Sequence, residues 1–471
     1  MPKVHIETWG CQMNTADAER MLALLVAEDY TLVDDADGAD LVLLNTCHIR
    51  EKARHKVLSR LGELRVLKEK YPRMRIAVAG CVAQAEGKKL IEAAPQIDIL
   101  FGPGKIDELP RLLKENAADR KSAIAVGFRK GLAIDDHAHE SSSAHDTDAS
   151  ATFDTKAPVL AAPPGITGKH EVSRYVNIQQ GCNNYCTFCV VPFTRGRELS
   201  RTPPEILAEC AAMLAAGARE VTILGQNVNS YGLDLVEAGS LTASTDGPFI
   251  DLLKAIAALP GLARLRFTTS NPQNFSPALA ALFRDEPKLG KYIHLPVQAG
   301  SDRTLERMKR KVTAAEYRER LAWLRSAEPD MAVSTDLIVG FPGETDEEFE
   351  DTLRLVEEAR FAFSFSFKYS PRKNTPAIRY ADQVPEDVKD SRLARLNALQ
   401  DRITIEENQK QVGRTHDVLF LYQNRRFPGQ YYGRTDHFRL VRVDCGRDVV
   451  GQVLPVTINS ATKTSLVGTL A

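Results

Sequence analysis

Gly181-Cys-Asn-Asn-Tyr-Cys-Thr-Phe-Cys-Val190 sets three thiols, Cys182, Cys186 and Cys189, on one short loop in C-x3-C-x2-C spacing. Soft thiolates suit iron–sulfur clusters and zinc alike. A closed structural zinc or an inert cluster wants a fourth ligand close by, and no Cys or His follows closely. Three ligands on a four-iron cube leave one iron open to a substrate-like ligand. A set of merely buried or zinc-binding cysteines is the weaker reading, because it leaves the missing ligand unexplained.

Around this loop the chain has an α/β rhythm. Residues 172–179 read as a strand that runs into the cysteines, and further strands are expected at 220–224, 264–268, 292–295, 333–339 and 362–369. Thr202-Pro-Pro-Glu-Ile opens a helix, with proline where a missing N–H is tolerated. Six strands with intervening helices predict a partial (β/α)6 barrel, whose working rim is the carboxyl end of its strands. The segments falling there are 225–232, 269–272, 294–301 and 334–344, all polar or glycine-rich, as a zwitterionic, nucleoside-containing ligand requires. Thr345 and Glu348 also read as a helix cap after the last of them.

The amino-terminal part carries a second set of thiols. Residues 3–8, 39–44 and 75–79 read as strands, each followed closely by a cysteine: Cys11, Cys47 and Cys81. Helical stretches at 16–28 and 51–70 separate them, so an open, mostly parallel α/β sheet is expected over about residues 1–115. Ligands in such sheets sit outside the carboxyl ends of the strands, which predicts convergence of the three thiols on a second iron–sulfur site. Any one of them alone reads equally well as an ordinary buried cysteine.

Composition bounds the rest. A chain of 471 residues with 43% hydrophobic content supports more than one core. Eight cysteines with no signal-like start argue against a disulfide scaffold, and no apolar run suffices to span a membrane, so a cytoplasmic, monomeric protein is expected. A net charge of −1 leaves nucleic-acid binding to local patches. Residues 135–157 hold scarcely a large apolar side chain and read as a linker, with no metal role for His137, His139 or His145. After a long helix over about 384–409, short alternating runs at 417–421, 438–443, 449–458 and 465–470 predict a small all-β barrel. Residues 411–471 carry eight Lys or Arg against four Asp or Glu, interleaved with Tyr422, Phe427, Tyr431, Tyr432 and Phe438, a pattern that suits RNA phosphates and bases.

The C-x3-C-x2-C loop resembles the signature of the radical S-adenosylmethionine (SAM) superfamily. Gly10-Cys-Gln-Met-Asn14, Asn45-Thr-Cys-His-Ile-Arg-Glu-Lys-Ala53 and Gly80-Cys-Val-Ala-Gln84 are similar to the three cysteine motifs of the methylthiotransferase family, and the tail resembles a TRAM domain. The resemblance implies domains at 1–117, 169–400 and 401–471, joined by a linker at 118–168. It implies two [4Fe-4S] clusters, an auxiliary one on Cys11, Cys47 and Cys81 and one on Cys182, Cys186 and Cys189, with Arg195 also at the active site. Gln226, Asn227, Ser270, His294, Gln298, Asp336 and Gly340 would bind SAM. His48 falls at a variable motif position and is expected to be no ligand. The motif details are similar to the branch that methylthiolates carbon 2 of N6-isopentenyladenosine at tRNA position 37. The partners implied are the tRNA anticodon stem-loop carrying that base, an electron donor such as flavodoxin or ferredoxin, and a sulfur source.

Related family branches act on threonylcarbamoyladenosine in tRNA or on a ribosomal protein, and a nonenzymatic iron–sulfur RNA-binding protein is the reading from another class. Two stretches depart from the family pattern. Met308-Lys-Arg-Lys-Val312 is expected near a helix start by the rim, and the run from Phe420 to Tyr432 replaces the usual tail sequence.

Overall fold

A computed structural model describes residues 1–47, 51–119, 121–128 and 172–471. His48, His137, His139, His145 and the insert around them lie outside the described residues, as does most of the expected linker. The chain groups into two compact units. One takes Met1–Gly168, Gln179–Asn183 and Val190–Arg201, and the other takes Lys169–Ile178, Asn184–Cys189 and Thr202–Ala471. Residues 179–183 and 190–201, expected in the radical SAM domain, thus group with the amino-terminal sheet.

The first unit is built on a six-stranded parallel sheet. Its strands are β1 (Lys3–Trp9), β2 (Thr31–Leu32), β3 (Leu41–Thr46), β4 (Arg75–Gly80), β5 (Ile99–Phe101) and β6 (Ala123–Ala125), in the order β2-β1-β3-β4-β5-β6. The central strand β3 is buried throughout, with Leu41, Leu43 facing one core and Val42, Leu44 facing the other. Such two-sided burial is what makes parallel strands read as continuous apolar runs. Helix α1 (Gln12–Ala27) puts Ala18, Met21, Leu22 and Leu25 into the first of these cores. Register decides the site: Trp9 pairs with Thr46, and Thr46 with Gly80. The cysteines therefore follow one common row of three neighbouring strands.

In the second unit, six parallel strands run in sequence order as two sheets. β7 (Ser173–Asn177), β10 (Glu220–Leu224) and β11 (Arg264–Phe267) form one, and β12 (Tyr292–His294), β13 (Ala332–Val339) and β14 (Phe363–Lys368) the other. A parallel bridge between Leu265 and Leu289 spans the gap. In sequence β8 (Gln179–Gln180) and β9 (Leu199–Ser200) come between β7 and β10 and pair with each other in the first unit, so the strand expected over 172–179 is broken at Ile178. Helices at Pro203–Ala215, Pro248–Ala257, Pro277–Asp285, Ala314–Ala327 and Asp346–Ala359 follow the first five of these strands and Glu386–Gln409 the sixth, a (β/α)6 pattern. Thr202, Thr313 and Thr345 begin three of them with capping boxes closed by Glu205, Glu316 and Glu348.

After the helix Glu386–Gln409 the chain closes a five-stranded barrel of β15 (Thr415–Gln423), β16 (Gln430–Thr435), β17 (Leu440–Asp444), β18 (Val453–Ala461) and β19 (Leu466–Leu470). The alternating runs of the sequence do not include β16. It begins in the last residues of the atypical run and continues past it, and at Gly433 it lies so close to Leu419 O that no side chain fits.

The barrel is fastened to the β10–β11 sheet through main-chain oxygens. Arg266 donates from Nη2 to Thr435 O at 2.8 Å and from Nη1 to Asp436 O at 2.9 Å, while Arg264 Nη1 reaches Arg434 O at 2.8 Å. Buried Glu220 balances these charges, 2.8 Å from Arg266 Nε and 3.9 Å from Arg264 Nη1. Phe438 stacks on Tyr292 with ring centroids 4.6 Å apart. Among the described residues, no helix is long and apolar enough to cross a membrane.

Candidate cluster centres and cofactor rim

The amino-terminal cysteines stand on rigid backbone. Gly10 and Gly80 both have positive φ, at 151° and 93°. A Cβ on Gly10 would lie 2.6 Å from Cys47 Cβ, so the first and second cysteine turns touch, and one on Gly80 would strike Thr46 O. Only glycine allows these approaches. Asn14, fully buried, holds the first two motifs together: it donates to Asn45 Oδ1 at 3.2 Å and Thr46 O at 3.3 Å, and accepts from Cys11 Sγ at 3.3 Å. Asn45 returns a bond to Asn14 O at 2.6 Å. Both asparagines belong to the cysteine motifs, and the structure makes them the frame of the site, a task that motif spacing alone does not reveal.

Cys11 reaches solvent, whereas Cys47 and Cys81 are buried. A hydrogen bond with Cys47 outweighs burial, and with the attraction of Arg195 it brings the Cys11 thiol down to about 6. Burial pushes the Cys81 thiol up, against the opposing pull of Arg195. Arg195 itself is 4% exposed and pairs with Asp17 of α1, Nη2 to Oδ2 at 2.7 Å. Burial works against its charge, yet Asp17, Cys81 and Cys11 together raise its pKa. Arg195 thus belongs with the amino-terminal thiols, a different neighbourhood from the one its position after Cys189 suggests.

Among the described residues, no group of three or more His, Cys, Asp or Glu is placed to hold a metal ion. A multi-iron cube makes another demand, since its ligands bind separate corners. Adjacent thiols, one of them acidified, beside a buried cation fit such a thiolate-bound group.

The division of the chain into units cuts the C-x3-C-x2-C loop after Asn183. In the first, Gly181 has φ 82° and leaves no room for a Cβ beside Arg197 O, while Cys182 donates its N–H to Gly196 O at 3.1 Å. Asn183 and Glu198 clasp each other through two bonds of 3.1 Å. In the second, Tyr185 turns with φ 49°, and Cys189 N–H bonds to Cys186 O at 3.0 Å. Thr187 fastens this piece by donating to Met308 O at 3.1 Å and Arg307 O at 2.9 Å. Arg310 Nη1 lies 3.7 Å from Cys186 Sγ and its Nη2 donates to Pro296 O at 2.6 Å. Sequence reasoning misses Arg310, although it sits in the departing run 308–312. That run ends the helix Asp302–Arg307, with Lys309 at φ 54°, and leads as expected into a helix start, the Thr313 cap of Ala314–Ala327.

The strand ends of the second unit gather most of the expected SAM residues. Thr269 and Gln298 hold φ values of 66° and 85°, conformations that non-glycine residues adopt at a cost of about 1–3 kcal/mol. Ser270 is buried and its hydroxyl has no hydrogen-bond partner, while its N–H bonds to His294 O at 3.3 Å. Gln298 N–H bonds to Asp336 O at 3.0 Å. His294 is fixed by Ser334 Oγ at 2.9 Å from Nδ1, and its Nε2 stands 3.5 Å from Asp336 Oδ2. Asn227 is buried and reaches Asn274 Oδ1 at 3.5 Å, beside half-buried Gln226. A strained, polar rim with a partnerless hydroxyl fits a zwitterionic ligand. Gly340 is different: its N–H is taken by Glu344 Oε2 at 2.6 Å, and its bare Cα faces Lys389 Cγ. Its glycine is required by helix packing.

The carboxyl-terminal aromatics divide. Tyr431 lies in the barrel core, Phe438 against Tyr292, and Tyr422, stacked on Tyr432 with 5.4 Å between centroids, against Val172, Leu419 and Leu421, which leaves Phe427 exposed. Arg425 and Arg426 adjoin Phe427 and are exposed.

Residues 3–102 match the Uncharacterized protein family UPF0004, residues 176–356 the radical SAM superfamily and residues 409–471 the TRAM domain. A solved radical S-adenosylmethionine methyltransferase, TsrM from Kitasatospora setae, covers 80% of this chain and 77% of its own with a TM-score of 0.54 at 15% identity, a likeness of fold. The tRNA-2-methylthio-N(6)-dimethylallyladenosine synthase of Stutzerimonas stutzeri (strain A1501) is 42% identical over 470 residues, 99% of each chain. The enzyme of the same name from Geotalea uraniireducens (strain Rf4) is 42% identical over 468 residues, 99% of this chain and 98% of that one. With identity sustained from end to end of both relatives, the chain belongs to the family of tRNA-2-methylthio-N(6)-dimethylallyladenosine synthases.

Proposed function

We propose that this chain methylthiolates carbon 2 of N6-isopentenyladenosine at position 37 of tRNA, using SAM both as methyl donor and as radical source. The observation that carries the reading is the end-to-end 42% identity to two synthases of that name. Cys11, Cys47 and Cys81 hold the auxiliary [4Fe-4S] cluster, and Cys182, Cys186 and Cys189 hold the other. When bound, the clusters and SAM supply sulfur and the radical chemistry needed at a ring C–H that has no acidic proton.

The protein's own groups bind and orient. Asn227, Ser270, His294 and Gln298 hold SAM at the rim, with Ser334 and Asp336 fixing the imidazole, and Gln226 adjoins them. Gly340 does not belong to this set. Arg310 offsets the thiolate charge of Cys186. Arg425, Arg426 and Phe427 meet the phosphates and an unpaired base of the anticodon stem-loop, where unstacked bases are accessible. The chain works in the cytoplasm as a monomer, with flavodoxin or ferredoxin as electron donor and a separate sulfur source.

The test is anaerobic reconstitution with iron, sulfide, SAM and a reductant, then nucleoside analysis of isopentenylated tRNA, threonylcarbamoylated tRNA and ribosomal protein offered separately. Methylthio-isopentenyladenosine alone is the expected product. Modification of either other substrate in its place, or SAM cleavage with no sulfur transfer to any of them, would overturn the reading.

A further inference from the structure

Arg195 is buried in a setting that its ion pair with Asp17 does not satisfy. An interior guanidinium is tolerated when its charge is balanced and its N–H groups are bonded. Asp17 meets Nη2 at 2.7 Å, and the backbone oxygen of Arg195 accepts from Gln180 Nε2 at 3.2 Å. Nη1 is buried and has no partner at all. A buried N–H left open in this way calls for an acceptor that the protein does not itself provide. The other groups in electrostatic reach are sulfur: Cys81 and Cys11 both interact with the charge of the guanidinium. Both follow the common row of strand ends, Cys11 after β1 and Cys81 after β4.

The choice of arginine has a reason. Its planar fork can bond a carboxylate with one arm and an anion with the other, whereas lysine presents a single point charge on a flexible stem. Asp17 holds the fork at one end, and α1, which carries Asp17, begins directly after Cys11. The chain therefore brings the cation to the thiols by way of the helix that one of them starts.

We propose that Arg195, held by Asp17, is a positioning residue of the three-cysteine centre, presenting a fixed positive charge and a free N–H to the cluster bound there and thereby setting its reduction potential. This rests on the reading that Cys11, Cys47 and Cys81 carry an iron–sulfur cluster. Adding an electron makes a cluster more negative, so a neighbouring cation favours the reduced state. Loss of that cation moves the midpoint to more negative values, and a charge-retaining replacement moves it less.

The test uses the full chain with Cys182, Cys186 and Cys189 replaced by Ala, so that one cluster remains, in EPR-monitored redox titration with iron measured per chain. Arg195→Gln is expected to keep its iron and to shift the reduction equilibrium at least tenfold against the reduced form, about 59 mV for one electron. Arg195→Lys should shift it less. A smaller or opposite shift in Arg195→Gln at full iron content overturns the proposal. Absence of iron in the parent would instead overturn the cluster reading itself. Should Arg195→Gln alone fail to hold iron, Asp17→Asn decides: a midpoint moved to more positive values supports the role, because the arginine's charge is then no longer offset, and one unmoved or moved negative overturns it.

Discussion

Cys11, Cys47 and Cys81 owe their convergence to glycines and asparagines more than to one another. Gly10 and Gly80 let the backbone turn where a side chain would collide with Cys47 or Thr46, and Asn14 spans the gap between the first two motifs. Two sets of thiols in separate frames lead to separable losses. Replacing Cys182, Cys186 and Cys189 with Ala should abolish reductive cleavage of SAM, measured as 5'-deoxyadenosine. Replacing Cys11, Cys47 and Cys81 should leave that cleavage in place and stop sulfur insertion, so methylthiolated nucleoside from the second variant would refute the division of roles.

A second residue-scale consequence concerns acid. Burial first, then the charges of Arg439 and His416, lower His437 from 6.5 to about 4, with Asp436 and Asp330 opposing. Its Nδ1 is buried without a partner. A depressed folded pKa contributes stability above the unfolded value of 6.5, which is lost as pH falls from there toward about 4. Between pH 6.5 and 5 the loss should reach at most about 2 kcal/mol, since His437 is only partly enclosed. Urea denaturation of His437→Gln at both pH values should show that slope flattened, and an unchanged slope would place the acid sensitivity elsewhere.

At the scale of elements, much was legible in the sequence. The helix expected over 51–70 is found at Glu51–Lys70, and strands at 75–79, 220–224 and 333–339 shift by a residue or less at each end. Period and turn chemistry suffice for such segments because each is fixed by its own burial pattern. β16 was not legible, since Gly433 and Arg434 interrupt the apolar alternation and the strand exists only through pairing with β15 and β17. The place of Arg195 was hidden for a similar reason: its partner Asp17 lies 178 residues away. Arg310 was hidden because its contact with Cys186 spans 124 residues.

The barrel's fastening changes how its role can be probed. Deleting residues 413–471 would strip the main-chain acceptors from Arg264 and Arg266, leaving Glu220 as their remaining partner, and would bare the apolar surface under Phe438. Weak tRNA binding by such a truncation would therefore not separate lost RNA contacts from a disturbed sheet. The exposed loop is the better target. Arg425→Ala and Arg426→Ala together should weaken tRNA binding, with a log affinity versus log salt slope shallower by up to about 1 for each phosphate no longer neutralised, and Phe427→Ala should weaken it with the slope unchanged. SAM cleavage without tRNA should be unaffected. Filter binding at several salt concentrations checks this, and wild-type affinity in all of these variants would move the tRNA-binding surface off this loop.

Across the whole molecule, two frames of three cysteines predict about eight iron and eight sulfide per chain after anaerobic reconstitution. Cys210 is buried within the helix Pro203–Ala215, and Cys445 bonds from Sγ to Arg447 O at 3.2 Å, so neither is expected to bind iron. The Cys11/Cys47/Cys81→Ala protein should fall to about four iron. A full complement in that variant would mean that the auxiliary cluster has other ligands.

One further consequence follows from the way Arg264 and Arg266 grip the barrel. They hold the peptide oxygens of Arg434, Thr435 and Asp436, atoms that every sequence possesses. Mutational drift in the barrel's side chains can proceed without loosening this part of the joint. Side chains add to the joint at Asp436, paired with Arg264, and at Phe438, stacked on Tyr292, so change is constrained there and free at positions that lend only a peptide oxygen.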